Sequence, residues 1–296
     1  MKPVWTLVMA ALMAIAILAC GLLRPTTPPA GDVSTIVAAT LEAATVAAPT
    51  QAGSELAPAG TQATFPGGRF VIPAGLASGA SSETVPAVAA DESMPWWGIA
   101  PEHVIVKLQG YALQDKFHEP QIVIYPAEEY AAMNESVADN LRQLRDQLSN
   151  PGSLSGPGVP PTVPFFNAGA LIGAKAAAIQ FQDGAGIRAL TEYAQFYAPI
   201  NNSDLFYHFQ GLSSDGRAYI VAILPVTAPL LAAESGPSAV PPAGGVPFPG
   251  SEATDESLFV NYYRSVTDML NAASPDTFQP TLTSLDALIE SIEVSH

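Results

Sequence analysis

The sequence predicts an α+β protein, in which an antiparallel β-sheet carries two to three packed helices and follows a signal peptide and a disordered tether. Two observations support this fold class. Runs of β-branched and aromatic residues outnumber the helical segments and follow one another directly, which favours antiparallel pairing over βαβ winding. Upstream of these runs, the chain opens with an apolar segment and continues with a long stretch rich in Ala, Thr and Pro.

Composition and charge exclude several classes of function. Charged residues make up 13% of the 296 residues, against about 25% in an average soluble protein. The 11 Lys and Arg stand against 27 Asp and Glu, which gives a formal net charge of −16. Because the chain has few cations to contact phosphates, we expect no nucleic-acid partner and no docking on anionic lipid through a basic patch. The single cysteine excludes an intrachain disulfide and a thiolate zinc cluster.

The amino terminus has the features of a secretion signal. A short, positively charged start is followed by an apolar stretch from Val4 to Ala19, and this stretch closes with Ile17-Leu18-Ala19-Cys20. The arrangement resembles the signal peptide of bacterial lipoproteins, whose lipobox ends in a small residue and then cysteine. The resemblance implies that residues 1–19 are removed and that Cys20 carries the lipid that anchors the chain outside the cytoplasm.

An uncleaved membrane helix is the alternative interpretation of this segment. Residues 4–23 are twenty residues long, and a helix needs about 20 residues to span a bilayer. Both interpretations place everything after residue 23 outside the cytoplasm.

Residues 20–92 are predicted to form a disordered tether. Ala, Thr, Pro, Gly, Ser and Val dominate this stretch, which has few of the large side chains that build a core. About 70 flexible residues have a root-mean-square span of about 45–50 Å, so a folded domain on such a tether stands clear of a membrane. The globular domain is expected to cover residues 93–296.

The first half of this domain is predicted to contain a long hairpin and a long helix. Residues 103–109 and 121–125 are strand-like runs that a short connection joins. Pro126 opens a helix of about 23 residues with acidic side chains in its first turn. Apolar residues recur along the helix every three or four positions and predict one buried stripe: Tyr130, Met133, Val137, Leu141, Leu144 and Leu148.

A Pro- and Gly-rich loop near residues 150–164 separates this helix from the next strands. Strand-like runs are found at residues 173–181 and 186–196. Residues 205–210 and 217–224 flank an Asp-Gly pair, which is a strong hairpin signature between two β-rich runs. Because both faces of this hairpin are apolar, we expect it to lie centrally in the sheet.

A second low-complexity loop, near residues 234–251, precedes two helices at the carboxyl end. The second of these helices is short, with Thr283 or Ser284 as its cap. The first covers residues 255–273 and has one apolar stripe: Leu258, Tyr262, Val266 and Leu270.

The order of these elements is similar to that of the PsbP-like fold, an antiparallel sheet with helices on its faces. The resemblance covers residues 95–296 and rests on element order and on the closing pattern Leu285-Asp286-Ala287-Leu288-Ile289-Glu290-Ser291-Ile292. It implies an accessory subunit that stabilises a membrane complex, and it carries no functional residue over to this chain.

Candidate contact residues are two tryptophans and one histidine. Trp96-Trp97 and Phe165-Phe166 are adjacent aromatic pairs in or beside loops, where an exposed ring stacks on a sugar or a partner, or else covers a sheet edge. His208 lies in the central hairpin, either as a hydrogen-bonded core residue or as a ligand contact. We predict no catalytic residue, metal site or cofactor, because the sequence lacks a nucleophile elbow, metal-ligand spacing and a phosphate-binding loop.

These features favour a lipid-anchored, surface-exposed, non-catalytic binding or accessory module of the bacterial cell envelope. Its expected partners are the membrane, through the lipid on Cys20, and an envelope protein or cell-wall component. The alternative is an extracytoplasmic hydrolase whose site is not visible in the sequence. A deep pocket with convergent ionisable groups favours the enzyme, whereas an exposed apolar patch favours a protein partner.

Overall fold

The computed structural model describes residues 60–90, 95–150, 161–236, 238–250 and 252–295. The predicted signal peptide at residues 1–19, the predicted lipid attachment site Cys20 and the first part of the predicted tether lie outside the described residues. In chain order the elements are β1 (Gly60–Phe65), β2 (Gly68–Pro73), β3 (Gly79–Val85), a 3₁₀ turn (Trp96–Gly98), β4 (His103–Gln109), β5 (Gln121–Pro126), α1 (Ala127–Met133), α2 (Glu135–Ser149), β6 (Gly169–Ala170), β7 (Ala174–Phe181), β8 (Gly184–Thr191), β9 (Tyr193–Ala194), β10 (Phe206–Ser213), β11 (Ala218–Pro225), α3 (Glu256–Ala272), a second 3₁₀ turn (Pro275–Thr277), α4 (Leu282–Glu290) and β12 (Glu293–Val294).

Strands β1, β2 and β3 show that the prediction of a tether over residues 20–92 is wrong for residues 60–85. β1 and β2 pair antiparallel around a turn at Gly67, whose φ is 83°. Their large side chains Phe65, Phe70 and Ile72 are buried in the main core. Small and polar residues surround these three in the sequence, so the composition of the stretch conceals them. A hairpin needs only a few large side chains at alternate positions to bury one face.

The main sheet among the described residues has seven antiparallel strands in the order β3-β4-β5-β11-β10-β8-β7. The β10–β11 hairpin lies near its middle, as predicted, and every residue of both strands is buried. Its turn places Gly216 at φ 75°, a conformation that glycine adopts without strain. A smaller sheet pairs β1, β2 and β12. The predicted α+β class with an antiparallel sheet is therefore confirmed.

Helices pack on both faces of the main sheet. Alternate residues of each strand point to opposite faces, so the sheet contributes to two cores. One core lies under α1 and α2 and includes Val123, Phe206, Val221, Val137, Leu141 and Leu144. The other lies under α3 and α4 and includes Ile122, Phe209, Ile220, Tyr262, Val266, Leu285 and Leu288.

The helix predicted to start at Pro126 is interrupted at Asn134. This residue ends α1 and caps α2, because its side-chain oxygen accepts hydrogen bonds from the backbone N–H groups of Ser136 and Val137. Asparagine competes with the helix in this way wherever its side chain can reach the next turn. The predicted apolar stripe still faces the sheet from Val137 to Leu144.

The two carboxyl-terminal helices differ from the prediction in detail. In α3 the buried side chain at the first turn is Phe259, whereas Leu258 is 45% exposed. α4 begins two or three residues earlier than predicted, with Thr281 as its cap in place of Thr283 or Ser284, and the Thr281 hydroxyl accepts a hydrogen bond from Ser284 N at 3.2 Å. The earlier start buries the side chain of Leu282. In the part of the chain that the structure describes, no helix combines the length and the apolar character needed to cross a membrane.

Candidate binding surface

Six aromatic side chains form two ring clusters that pack beside α1 and α2 on one face of the sheet. The first cluster contains Trp96, whose ring centroid lies 5.8 Å from that of Trp97 and 5.0 Å from that of Phe165. The second contains His118, whose centroid lies 4.9 Å from that of Phe117 and 5.2 Å from that of Phe166. The peptide bond between Phe165 and Phe166 joins the clusters. We call these six side chains the aromatic surface: Trp96, Trp97, Phe117, His118, Phe165 and Phe166.

Three rings of the aromatic surface are open to solvent. Phe117 is 75% exposed, Trp96 is 50% exposed and Trp97 is 36% exposed. The two tryptophans lie in a 3₁₀ turn with their planes nearly perpendicular, at 87°. Exposed apolar rings that lie together mark interaction sites, because covering them releases water from apolar surface and lowers the free energy of the system. The predicted contact residues Trp96 and Trp97 are therefore in a position to bind.

The tryptophan turn is fixed to the helices behind it. Asn134 Nδ2 donates a hydrogen bond of 2.9 Å to the backbone oxygen of Trp96. The same Asn134 caps α2, so the turn is tied to the start of that helix. Gly98 N donates to Pro95 O at 2.8 Å and closes the turn. The exposed rings are thus carried by a backbone that the fold holds in place.

The two phenylalanines belong to a segment that polar side chains tie to the sheet and to α2. Tyr193 accepts a hydrogen bond from Thr162 N at 2.8 Å through its hydroxyl oxygen. Pro161 O accepts two more, from Asn140 Nδ2 at 2.8 Å and from Gln210 Nε2 at 3.1 Å. The side chains of Tyr193, Asn140 and Gln210 thus form hydrogen bonds with this segment, as buried polar groups in folded proteins generally do with a neighbouring part of the chain. They set the position of Phe165 and Phe166.

His118 contributes a neutral ring to the aromatic surface. It lies in the connection between β4 and β5, and its centroid is 4.3 Å from that of the buried Phe206. Burial lowers the pKa of His118 to about 4, against a smaller opposing effect of the Asp204 carboxylate. At neutral pH this imidazole is uncharged, so it packs as a flat aromatic ring.

His208, the third predicted contact residue, is a core side chain with 1% exposure. Its Nε2 lies 2.9 Å from Thr162 Oγ1, so it helps to hold the segment that carries Phe165. Burial lowers the pKa of His208 to about 3, and the nearby His118 adds to this effect. The structure therefore does not place His208 at the surface with Trp96 and Trp97.

The hydrogen bond between Thr162 and His208 joins a hydroxyl to an imidazole, as a nucleophile and its base are joined in hydrolases. Both side chains are 1% exposed, so a substrate has no access to the hydroxyl. An imidazole with a pKa of about 3 is also a weak base at neutral pH. Among the described residues, no carboxylate orients this histidine, and no group of three His, Cys, Asp or Glu side chains is placed to hold a metal ion.

The sequence alone did not identify Phe117 and His118 as part of the surface. They lie in a hairpin connection that comes close to Phe166 only after the sheet has formed. The local signal for their place in the aromatic surface is a Phe-His pair in a loop, which is a weak signal. Comparisons with known protein families, curated proteins and solved structures find no match for this chain.

Proposed function

We propose that this chain is a lipid-anchored, surface-exposed, non-catalytic binding or accessory module of the bacterial cell envelope. The aromatic surface is its contact with an envelope protein or cell-wall partner. The lipobox-like sequence that ends at Cys20 supports the anchor and an extracytoplasmic location. The observation that carries the binding role is the set of exposed rings Trp96, Trp97 and Phe117 on a rigid support.

The charge of the chain narrows the class of partner. A net charge of −16 repels nucleic acids, anionic lipids and anionic polymers. Aromatic rings are enriched at the centres of protein interfaces, because they bury a large area and lose little conformational entropy. A neutral or cationic protein surface is therefore the partner that fits best.

Growth of cells in a palmitate analogue tests the anchor. We expect the wild-type chain to take up the label and the Cys20→Ala variant to remain unlabelled, because the thiol is the attachment point. A Cys20→Ala chain that keeps its unprocessed length on a gel supports the same conclusion. An unlabelled wild-type chain contradicts lipid attachment.

Replacing Trp97 with alanine tests the contact surface. We expect crosslinking on intact cells to capture about tenfold less of the partner, because a buried aromatic ring contributes strongly at an interface. The thermal midpoint is expected to change by less than about 2 °C, since a partly exposed side chain contributes little to the core. Quantified crosslinked bands and a thermal scan of each purified chain provide the two measurements.

Phe196→Ala is the matched control for this experiment. Phe196 is 75% exposed, as Phe117 is, but it lies outside the aromatic surface. This variant is expected to capture the partner as the wild type does. A large drop in the midpoint of Trp97→Ala instead makes Trp97 a core residue. Equal capture by wild type, Trp97→Ala and Phe117→Ala shows that the partner binds elsewhere.

A further inference from the structure

A cavity of about 510 Å³ opens between α3 and the segment that leads into β7. Its volume lies within the range of small-molecule sites, about 300–1,000 Å³. The outer wall is the polar side of α3, and the inner wall includes Leu171, Tyr193 of β9 and the buried His208 of β10. Nothing in the proposed function above uses this cavity.

Two opposite charges border the cavity on α3, at Arg264 and Asp268. The structure shows no ion pair between them, although they are four residues apart on one helix. An Arg that precedes an Asp by four residues is the less favourable order for such a pair. The Asp268 carboxylate makes no hydrogen bond or ion pair with any described residue, and the guanidinium of Arg264 has one contact, of 3.5 Å, to Asn261 Oδ1. Both charges are therefore available to a ligand.

The remaining lining is apolar or uncharged. Val260, one turn before Arg264, is 48% exposed and faces the cavity together with Leu171. The ring of Tyr193 is half-buried at the inner wall, and its hydroxyl is already engaged with Thr162 N. His208 is held by Thr162 and is uncharged at neutral pH, because burial lowers its pKa. The interior of the cavity therefore suits an apolar group of a ligand. At its rim, Arg264 can pair with an anionic group and Asp268 with a cationic group.

The spacing of Arg264 and Asp268 along α3 sets the scale of the ligand. Four residues of helix correspond to a rise of about 6 Å. The charged ends of an extended dipeptide are separated by about 7 Å. Longer peptides place their ends well beyond one helical turn.

We propose that this cavity binds zwitterionic dipeptides with apolar side chains. The peptide carboxylate pairs with Arg264, the peptide ammonium pairs with Asp268, and an apolar side chain packs between Val260 and Tyr193. This site goes beyond the proposed function, since it depends neither on the lipid at Cys20 nor on exposure of the tryptophans.

Isothermal titration calorimetry of the full chain in detergent tests the site with leucyl-leucine as the probe. We expect saturable binding of the free dipeptide and binding at least tenfold weaker for its N-acetylated form, its C-amidated form and glycyl-glycine. Arg264→Gln is expected to bind the free dipeptide only as tightly as the wild type binds the C-amidated form. The same variant is expected to bind the C-amidated form as the wild type does. Asp268→Asn is expected to act in the same way on the N-acetylated form.

Arg145→Gln and Asp146→Asn are the matched controls, because both residues are exposed on α2, away from the cavity. These controls are expected to bind leucyl-leucine as the wild type does, and all four variants are expected to keep the wild-type thermal midpoint. Absence of binding up to about 10 mM leucyl-leucine overturns the proposal. The proposal is also overturned if N-acetylation and C-amidation of the dipeptide both leave the affinity unchanged, or if Arg264→Gln and Asp268→Asn both leave it unchanged.

Discussion

Between pH 5 and pH 9, the free energy of unfolding of the wild-type chain is expected to fall by about 4 kcal/mol relative to that of the Glu192→Gln variant. Glu192 is 1% exposed, at the end of β8. The pKa of this carboxyl is raised to about 8, mainly by burial and to a smaller extent by the Asp204 carboxylate. Asn201 opposes both effects through hydrogen bonds of 3.0 Å from its backbone N and from its Nδ2. In the folded chain at neutral pH, Glu192 is therefore mainly protonated.

The sign of the effect follows from proton linkage. The unfolded chain releases the proton of Glu192 near pH 4.5, whereas the folded chain holds it up to about pH 8. The stability that this group contributes is fully present below pH 4.5 and is lost as the pH rises through 8. Glutamine keeps the shape and one acceptor oxygen but has no proton to release.

Urea unfolding at pH 5, 7 and 9 measures this difference, with Glu128→Gln as the exposed control. The comparison with a variant is needed because His118 and His208 have lowered pKa values and act in the opposite direction below pH 6.5. Their contribution is present above pH 6.5 and is lost on acidification. The control is expected to track the wild type at every pH. A constant difference between wild type and Glu192→Gln contradicts a protonated Glu192.

Asp286→Ala is expected to lower the free energy of unfolding by about 3 kcal/mol at neutral pH. The Asp286 carboxylate lies 3.1 Å from Arg188 Nε, and their side chains are only 20% and 10% exposed. It also accepts a hydrogen bond of 2.8 Å from the hydroxyl of Tyr207. Two guanidinium nitrogens of Arg188, Nε and Nη1, are buried and make no hydrogen bond with the described residues. Asp286 is therefore the charge that compensates Arg188, and its removal leaves a buried cation without a counter-ion.

The double variant Arg188→Met/Asp286→Leu separates this effect from lost packing. Apolar side chains of similar size remove both charges but leave the buried Tyr207 hydroxyl without its acceptor, so the double variant is expected to lose about 1–2 kcal/mol, less than Asp286→Ala loses. Asp139→Ala removes the exposed partner of Arg142 and is expected to cost less than about 1 kcal/mol. Urea unfolding midpoints give the change in the free energy of unfolding for each of the three variants, provided that the dependence of this free energy on urea concentration is unchanged. A loss below about 1 kcal/mol for Asp286→Ala shows that Arg188 is solvated without its partner.

Local signals predict most of the fold, and non-local packing explains the exceptions. The Asp-Gly turn and the apolar runs at both sides place the central hairpin correctly, because turn geometry and burial both act within a few residues. Asn134 breaks the predicted helix by capping α2 and by bonding to Trp96, and the second contact spans 38 residues. The first three strands are missed, and for β1 and β2 the reason is that their burial depends on a distant helix, α4, that packs on β2.

For the aromatic surface too, the sequence identifies some of the residues, and folding decides which of them come into contact. Trp96, Trp97 and the Phe165-Phe166 pair are visible in the sequence as adjacent aromatic residues outside long strands. Their joining with Phe117 and His118 is not visible, because ring contacts across 48 residues arise only when the chain has folded. His208 illustrates the limit of local reasoning, since its neighbours in sequence do not reveal that the segment at Thr162 covers it.

The sequence by itself determined the fold class, the central hairpin, the acidic charge and the lipobox-like motif at Cys20, because each depends on composition or on neighbouring residues. Only the tertiary structure decided where the domain begins, which aromatic rings meet, and which charged groups are buried. Those outcomes depend on contacts between residues far apart in the chain, as between Arg188 and Asp286. Burial and charge pairing are properties of such contacts, and no local pattern encodes them.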